Sequence, residues 1–345
     1  MPGLRNPFPR EQESDDSRRG RSSSGVCRRY VGCGRLHRGT SHRYIMTAMR
    51  EVTYEAYREF FKDHQEVIIE GRPVKLVGWG TLKLFEPKEF SLEKTTVWSF
   101  ENRGKWATHR GNYRANWAPE IPRNLILRYT NPRDCVLDQM VGSGTTLVEC
   151  KLLGRNGIGV DINPDAVMLA WNRLDFTYAD DSTVQRLFQG DARNLDLIDN
   201  ESVDLVATHP PYADIVRFSK HMKMEGDLSR VRSVAEFVNE MAEVAQESFR
   251  VLKPGKHCAI LIGDTHRHKH YVPIAFRVLE AFLDVGFILR EDVIKRQWHT
   301  QTMRGRWKES YNLDFLLTYH EHLYIFRKPS VGENLSKLRE SMKWQ

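Results

Sequence analysis

The segment 135–153 constrains the fold of this chain more strongly than any other. Its sequence CVLD (135–138) predicts a short buried strand, glycines at 142 and 144 mark a turn, and an apolar helical pattern continues to residue 153. Glycine between a strand and a helix lets the backbone turn tightly and approach a ligand closely, although such turns also serve packing in many α/β proteins. No Gly-Lys-Ser/Thr follows, and this excludes a P-loop.

Strands and helices alternate after this unit. Strands are predicted at 157–162, 204–208, 257–263 and 323–327, and helices at 164–174, 234–252 and 272–285. Upstream, residues 52–61 have a helical pattern and residues 66–84 alternate as a strand or hairpin does. Such alternation is typical of a mostly parallel sheet with helices on both faces. We therefore predict an α/β, Rossmann-like fold without internal repeats.

Residues 1–45 differ in composition from the rest of the chain. They contain ten Arg and no Lys against four acidic residues, whereas the remaining 300 residues carry 42 basic and 41 acidic side chains. The net charge of +7 therefore belongs mainly to this segment, which is poor in apolar residues and is predicted to be a disordered tail. The abrupt change in composition favours translation from Met46 or Met49, which would leave 1–45 outside the native product.

Cysteine usage and hydropathy indicate the compartment. The five cysteines are scattered without a C-x-x-C pair, and this excludes a disulfide framework and a zinc ribbon. No apolar run reaches the roughly eighteen residues that a membrane span needs. We expect a cytoplasmic protein without a membrane partner, and we assign no metal site to the Cys and His residues of the tail or to the histidines at 266–270.

Carboxylates lie at three predicted strand ends. Asp138 ends the first strand, Asp161 ends the next, and Asp191 follows Gly190 at a third strand end. The spacing from Asp138 to Asp161 is that at which an acid meets ribose hydroxyls in a dinucleotide-type fold, and Asp191 is placed to bind an adenine amino group. Together the three acids predict a nucleoside pocket. Since no third glycine is present to pack under a pyrophosphate, the ligand need not be a dinucleotide.

The sequence THPPY (208–212) follows the predicted strand LVAT. Pro210 and Pro211 fix the backbone immediately after a strand end, where open α/β sheets carry their active sites. A rigid Pro-Pro pair holds a carbonyl at a fixed angle and presents the aromatic face of Tyr212 beside it. We interpret this segment as a catalytic motif.

In this order the motifs resemble those of the N4-cytosine/N6-adenine amino-methyltransferases of DNA, which use S-adenosylmethionine. VLDQMVGSGTTLVE (136–149) is similar to the family's cofactor motif D-P-F-x-G-S-G-T-T, GVDI and GDA to its ribose and adenine acids, HPPY to its catalytic motif, and HLYIFRK (322–328) to its terminal strand. The resemblance covers about residues 97–329, with a small segment 46–96 before it and a C-terminal tail 330–345 after it. It implies the S-adenosylmethionine-dependent methyltransferase fold, a gamma-like motif order, and target-recognition residues after the catalytic motif.

The resemblance also assigns residues to the cofactor. Those in and around the glycine turn are Asp138, Gly142, Ser143, Gly144, Thr145, Thr146, Asp161 and Asp191. Trp106, His109 and Tyr113 belong to the segment that, in the family, closes over the methionine half of the cofactor. Two positions depart from the family pattern: Gln139 replaces a proline, which should be tolerated, and His209 replaces Asp, Asn or Ser, which matters more.

Amino methylation explains why the motif needs acceptors. An exocyclic amino nitrogen is a poor nucleophile because its lone pair is delocalised into the ring, and two acceptors that grip its hydrogens favour a pyramidal nitrogen. In the family these are the first side chain of the motif and the carbonyl of the next proline, here His209 and Pro210. A neutral imidazole has one ring nitrogen that can accept a hydrogen bond, whereas a protonated imidazole has none. We therefore expect activity to fall as the pH drops through the pKa of His209, nominally about 6.5.

The target base must leave the duplex to reach such a pocket, at a cost of a few kcal/mol. Stacking on Tyr212 is expected to return roughly 1–3 kcal/mol. Methylation of cytosine C5 is disfavoured because it requires a cysteine nucleophile, usually in a Pro-Cys pair, and no cysteine here follows a proline. Direct transfer without a covalent intermediate or a metal is expected.

Two basic stretches are predicted to contact nucleic acid. The first is 293–308, expected to be a solvated loop and rich in basic and indole side chains, and the second follows the catalytic motif. The candidate residues are Lys295, Arg296, Trp298, Arg304, Arg306, Trp307, Arg217 and Lys220. Because the chain beyond the tail is nearly neutral, binding has to come from such local patches.

The sequence thus predicts a site-specific methyltransferase that acts on double-stranded DNA, with cytosine N4 slightly favoured over adenine N6 because Asp is absent from position 209. A cognate restriction endonuclease is the functional partner that family analogy implies. Two alternatives stay open: an RNA amino-methyltransferase, and an inactive module that retains cofactor or nucleic-acid binding.

Overall fold

A nine-stranded sheet forms the centre of the computed structural model, which describes residues 48–80, 82–113, 116–178, 182–212, 226–298 and 315–343. The strands in these ranges are β1 Arg50–Val52, β2 Glu66–Ile69, β3 Arg72–Lys75, β4 Val97–Ser99, β5 Cys135–Asp138, β6 Asn156–Asp161, β7 Gln185–Gln189, β8 Val203–Thr208, β9 Leu252–Ile262, β10 Thr265–Arg267, β11 His270–Val272, β12 Ile288–Arg296 and β13 His320–Arg327. The α-helices in these ranges are α1 Tyr54–Asp63, α2 Glu120–Tyr129, α3 Thr145–Leu152, α4 Pro164–Leu174, α5 Val234–Val251 and α6 Ile274–Val285.

The strand order of the large sheet is β1-β7-β6-β5-β8-β9-β13-β12-β4. Strands β7, β6, β5, β8 and β9 are parallel, whereas β13 is antiparallel to both of its neighbours. Because β5 pairs with β6 on one side and β8 on the other, the strand order reverses between them, and a crevice opens at the carboxyl ends of such strands. The predicted Rossmann-like α/β fold is confirmed.

Alternate residues of the central strands face two helical layers. Val206 of β8 packs in a core with α5 and α6, whereas its neighbours Leu205 and Ala207 pack in a core with α2. Residues of α3 and α4 share a further core with Leu187 of β7. Burial on both faces explains why these strands are apolar runs rather than alternating sequences.

Short polar signals fix several helix starts. Asn163 caps α4 by accepting a hydrogen bond from the Asp165 N–H at 3.0 Å, with Pro164 in the first turn. Ser233 caps α5 in the same way through the Glu236 N–H at 3.3 Å. Both helices therefore begin where the sequence predicts. None of the helices in the described ranges combines the length and hydropathy of a membrane span.

The main differences from the sequence predictions concern edge and irregular strands. Strand β9 begins at Leu252, ahead of the predicted start at 257, because Leu252 already pairs with Val203 of β8 before a register shift. The expectation of a loop from residue 293 is wrong up to Arg296, where β12 ends in pairing with β13 and β4. Segment 48–96 supplies β1 to one edge of the large sheet, and β4, at residues 97–99 directly after this segment, forms the opposite edge. The tail 1–45, Met46 and the proposed translation start lie outside the described residues.

Candidate functional site

Asp138 connects the glycine turn (138–146) to the neighbouring strand. Its buried carboxylate accepts hydrogen bonds from the Thr146 hydroxyl, from the Thr208 hydroxyl at 3.0 Å and from the Met140 N–H at 3.2 Å. The acid therefore joins β5, β8 and the start of α3. Burial raises the pKa of Asp138 to about 6, although the hydroxyl and N–H donors favour the ionised form.

The two glycines of the turn have different neighbours. Both adopt positive φ, 50° at Gly142 and 81° at Gly144. A Cβ at Gly144 would lie 3.1 Å from the Cα of Ala170, so this glycine allows α3 to pack closely on α4. A Cβ at Gly142 would lie 3.1 Å from the ring of Tyr113 at the mouth of the crevice. The turn thus serves packing at one glycine and an open, ligand-facing backbone at the other.

Asp161, half-buried at the end of β6, faces the same turn. Its Oδ2 accepts from the Gly142 N–H and its Oδ1 from the Asn163 N–H, both at 2.9 Å. Burial raises the pKa of Asp161 to about 6. Each oxygen retains a lone pair, so the fixed carboxylate can accept two further hydroxyl donors.

Asp191 is buried just beyond β7 and is held by one arginine. Its Oδ1 accepts from both the N–H and the Nε–H of Arg193 at 2.9 Å, and its Oδ2 accepts from Nη2. Arg193 also donates to the Gly226 carbonyl at 3.1 Å. The acid is therefore oriented by its own loop, with lone-pair capacity left on Oδ2.

These groups line one cavity with an empty volume of about 870 Å³, partly open to solvent. The sequence-predicted residues on its wall are Tyr113, Asp138, Gly142, Ser143, Thr145, Asp161, Asp191, His209, Pro210 and Pro211. Further wall residues that the sequence analysis missed include Asn116, Trp117 and Asp227. Four carboxylates around one crevice favour a ligand that carries positive charge.

His209 and Pro210 reach this cavity from the end of β8. The imidazole stacks on Trp117, with ring centroids 5.9 Å apart and an interplanar angle of 27°. The glycine turn and the catalytic motif therefore meet across one space, as expected where the strand order reverses.

Tyr212 connects His209 to an ion pair that the sequence analysis did not assign. The Tyr212 hydroxyl lies 2.5 Å from His209 Nε2 and 2.7 Å from Glu321 Oε1. The other oxygen of Glu321 is 2.7 Å from the Lys295 ammonium. We call His209, Tyr212, Glu321 and Lys295 the tetrad. The one signal for Glu321 in the sequence was an acidic residue two positions before the apolar run LYIF (323–326) of a predicted strand.

The tetrad corrects the expected titration of His209. Burial lowers the pKa of His209 to about 4. The Glu321 carboxylate acts to raise this pKa, but the Lys295 ammonium acts to lower it and offsets that effect. Burial would raise the pKa of Glu321, but Lys295 and the hydrogen bond from Tyr212 lower it to about 2. The expected value near 6.5 is therefore wrong, and His209 is neutral throughout the physiological range.

Trp106 and His109 lie behind the cavity wall. The Trp106 indole N–H donates to Glu149 Oε1 at 2.7 Å, and His109 Nε2 lies 2.7 Å from the same oxygen. Arg123 donates to the other oxygen at 2.9 Å, and all four side chains are buried. Since Glu149 belongs to α3, the network joins segment 102–113 to the helix that follows the glycine turn. Gly144 and Thr146 likewise hold the turn without lining the cavity.

The predicted nucleic-acid residues are only partly described. The exposed Arg296 guanidinium lies 3.9 Å from the centroid of Trp298, and the Trp298 indole donates to the Ser99 hydroxyl at 2.9 Å. Lys295 instead points its ammonium at Glu321. The candidates that lie outside the described residues are Arg217, Lys220, Arg304, Arg306 and Trp307.

Two further residues singled out by the sequence, Tyr212 and Gln139, pack against the end of β9 and against α5 respectively. A Cβ at Gly263 would lie 2.7 Å from Cε2 of Tyr212, so the ring packs closely on bare backbone. The Gln139 NH₂, in place of the expected proline, donates to the Ser248 hydroxyl of α5 at 2.9 Å, and that hydroxyl donates in turn to the Val244 carbonyl at 2.7 Å. The amide nitrogen is thereby satisfied inside the core.

The chain is similar in sequence to DNA methylases and type II methyltransferases. The profile of a DNA methylase family, N6_N4_Mtase, matches residues 39–172 and 203–343. Type II methyltransferase M.HpaI of Haemophilus parainfluenzae is 37% identical over 81 residues, which are 24% of this chain and 26% of that protein. Type II methyltransferase M.MjaI of Methanocaldococcus jannaschii is 31% identical over 132 residues, or 32% and 44% of the two chains. The chain therefore spans less than half the length of these relatives.

Among solved structures, a SAM-dependent methyltransferase of Methanosarcina mazei is similar with a TM-score of 0.41 and 16% identity, covering 60% of this chain and 97% of that one.

Proposed function

Because the chain belongs to the DNA methylase family, we propose that it transfers a methyl group from S-adenosylmethionine to an exocyclic amino group of a base in double-stranded DNA. The observation that carries the proposal is the shared cavity. The glycine turn from β5 and the His209–Pro210 motif from β8 line one space, so a cofactor and an amino group can meet there.

S-adenosylmethionine is the cofactor of this protein, and the described residues fit it. It supplies a methyl group that is electrophilic because the sulfur to which it is bonded is positively charged. Asp161, fixed by two backbone N–H groups, would accept from the ribose hydroxyls, and Asp191 from the adenine amino group. The acids around the cavity favour a cationic sulfonium.

The catalytic motif prepares the amino nitrogen. His209, neutral because burial lowers its pKa to about 4, accepts one amino hydrogen, and the Pro210 carbonyl accepts the other. With both hydrogens held, the nitrogen becomes pyramidal and its lone pair is free to point at the methyl group. No cysteine is within the cavity wall as described, and the proposed transfer is direct.

The target base enters from the duplex by flipping, in this proposal. The Tyr212 ring, which packs closely on Gly263, is the aromatic group that we assign to stacking on the base. Arg296, stacked on Trp298 at the end of β12, is assigned to the phosphate backbone, where a basic aromatic surface favours nucleic acid. Phosphate contacts of this kind position the duplex without reading its sequence.

We propose cytosine N4 ahead of adenine N6 as the modified position, since Asp is absent from position 209. The matched relatives are named as type II methyltransferases, which supports a role in modifying sites that a cognate restriction endonuclease would cut. The partner would then act on the same sequence and need not bind this chain.

The proposal is tested by transfer of a tritiated methyl group from S-adenosylmethionine to duplex DNA, with single-stranded DNA and RNA in parallel. Duplex DNA should be the preferred acceptor. His209→Ala should abolish transfer, whereas His64→Ala, a change at the exposed end of α1, should not alter it. Preference for RNA would support the alternative substrate, and absence of transfer to all three would support the inactive binding module.

Sequencing of methylated bases in the DNA of an expression host identifies the product. N4-methylcytosine at one recurring sequence is the expected result. N6-methyladenine would overturn the preference for cytosine and leave the reaction class intact.

A further inference from the structure

The proton count within the tetrad determines which nitrogen of His209 carries hydrogen. Glu321 is ionised and accepts only, so the single hydroxyl proton of Tyr212 is donated to Glu321 Oε1 across 2.7 Å. The Tyr212 oxygen then has only acceptor capacity left for His209, 2.5 Å away. Nε2 must therefore carry the imidazole hydrogen and donate it to Tyr212.

The other ring nitrogen is consequently an acceptor. Nδ1 of His209 has no hydrogen-bond partner among the residues that the structure describes, and the ring lines the cavity. A neutral imidazole with hydrogen on Nε2 has its lone pair on Nδ1. The reverse tautomer would place a donor where the amino group needs an acceptor.

We propose that Tyr212 and Glu321, with Lys295 behind them, are positioning residues that hold His209 in the Nε2–H tautomer, so that Nδ1 accepts a hydrogen of the target amino group. This inference rests on the proposed function. It gives the Tyr212 hydroxyl a task besides the stacking assigned to its ring, and it gives a task to Glu321 and Lys295, which do not line the cavity.

Lys295 has a second, electrostatic part in this arrangement. Glu321 and Lys295 are the charged groups that face His209, and Asp264 lies further back, facing Tyr212. An unpaired Glu321 carboxylate would raise the pKa of His209 and favour the protonated ring, which cannot accept. Lys295, 2.7 Å from Glu321, offsets this while leaving the carboxylate ionised.

The geometry of the tetrad also depends on Gly263 at the end of β9. The bare backbone there leaves room for the Tyr212 ring, which a Cβ would approach to 2.7 Å.

Buried carboxylates are costly unless they are paired and hydrogen-bonded, and Glu321 uses one oxygen for each partner. Both oxygens of the Glu321 carboxylate are therefore satisfied.

The decisive variant is Glu321→Gln, which keeps the shape but reverses the direction of the hydrogen bonds. Lys295 still requires an acceptor, so the new amide turns its oxygen to Lys295 and its NH₂ to Tyr212. Tyr212 then accepts from the amide and donates to Nε2, and the imidazole hydrogen moves to Nδ1. The wild-type tautomer and the variant tautomer should be opposite.

Long-range ¹H–¹⁵N correlation spectra of the full chain, labelled with [¹⁵N]histidine and free of DNA, read this directly. The His209 signals are those that disappear in His209→Asn. The expected result is an Nε2–H ring in the wild type and in Tyr54→Phe, a control that removes another tyrosine–carboxylate bond, with an Nδ1–H ring in Glu321→Gln. The same tautomer in wild type and Glu321→Gln, or Nδ1–H in the wild type, would overturn the inference.

Kinetics provide an independent readout on variants that fold. Glu321→Gln and Tyr212→Phe should lower kcat for methyl transfer about 10- to 100-fold and leave KM for S-adenosylmethionine within about twofold, since each removes one charge-assisted or tautomer-fixing hydrogen bond. Lys295→Met should shift the acid limb of the pH–rate profile to higher pH. An unmoved acid limb, or losses confined to KM, would contradict a positioning role.

The two proposals fail separately. The tautomer is measured without DNA, so the expected spectra combined with no methyl transfer would refute the proposed function alone. Methyl transfer combined with the wrong tautomer would refute the positioning role alone.

Discussion

Asp161→Asn is the change that tests the cofactor site most directly. The carboxylate accepts from two backbone N–H groups at 2.9 Å, from Gly142 through Oδ2 and from Asn163 through Oδ1. An amide has only one acceptor oxygen, so its NH₂ must face one of these N–H groups or one ribose hydroxyl. Loss of one hydrogen bond to a charged acceptor is worth about 1.5–3 kcal/mol, and we expect Kd for S-adenosylmethionine to rise about 10- to 150-fold.

Isothermal titration calorimetry without DNA measures this effect. S-adenosylhomocysteine, which has the same ribose but no sulfonium charge, should also lose affinity, because the predicted contact is with the ribose. Asp165→Asn is the matched control: its carboxylate also accepts a backbone N–H, from Ile68 at 3.0 Å, but lies outside the cavity wall. A change below about threefold, or a loss confined to the charged ligand, would refute the ribose assignment.

The pH dependence gives the same experiment a second readout. The pKa values of Asp138 and Asp161 are raised to about 6 by burial, so affinity for the cationic cofactor should weaken as the pH falls through about 6. In Asp161→Asn one of the two groups is gone, and the dependence should be shallower. The stability of the ligand-free protein should change in the opposite sense: a raised folded-state pKa gives stability that is present at low pH and lost as the pH rises through about 6.

Further changes test packing, the buried network and the nucleic-acid surface. Gly144→Ala combines strain at a φ of 81° with a Cβ 3.1 Å from the next helix and should lower the free energy of unfolding in urea by about 2–4 kcal/mol, whereas Gly154→Ala, at a φ of 72° with no atom within 4 Å, should lower it by only about 1. Glu149→Gln should lower it by about 2–4 kcal/mol, because the buried Arg123 guanidinium loses its buried charged partner and keeps only the exposed Glu86; a change below 1 kcal/mol would contradict this. Arg296→Ala should reduce the slope of log Kd for duplex DNA against log salt by about one, whereas the exposed Lys62→Ala should leave it unchanged.

The parts of the fold that could be predicted from sequence are those with coincident local signals. At 135–162 an apolar run, two glycines and an acid all indicate the same strand–turn–helix–strand unit. Asn163 and Pro164 fix the start of α4 in the same way. Such signals act within a few residues and do not depend on the rest of the chain.

The parts that could not be predicted depend on long-range pairing. The sequence of β12 is rich in charged residues, among them Glu291 and Asp292, and is therefore typical of a solvent-exposed segment. Hydrogen bonding to β13 and β4 nevertheless makes it a strand. The tetrad joins His209 and Tyr212, which follow β8, to two residues much later in the chain, and the pairing of β12 with β13 places Lys295 opposite Glu321. The pKa of His209 follows from that arrangement, which explains why the expected value near 6.5 was wrong.

The tetrad also accounts for histidine at a position where the family has Asp, Asn or Ser. The cavity already holds Asp138, Asp161, Asp191 and Asp227, and Glu321 lies behind position 209. A carboxylate at 209 would add repulsion within this group, which raises the pKa of each acid and weakens it as an acceptor. Imidazole provides an acceptor without charge, but its two tautomers make that acceptor ambiguous. The hydrogen bond through Tyr212 to an ionised acid removes the ambiguity, so His209 and Glu321 are best understood as one functional unit.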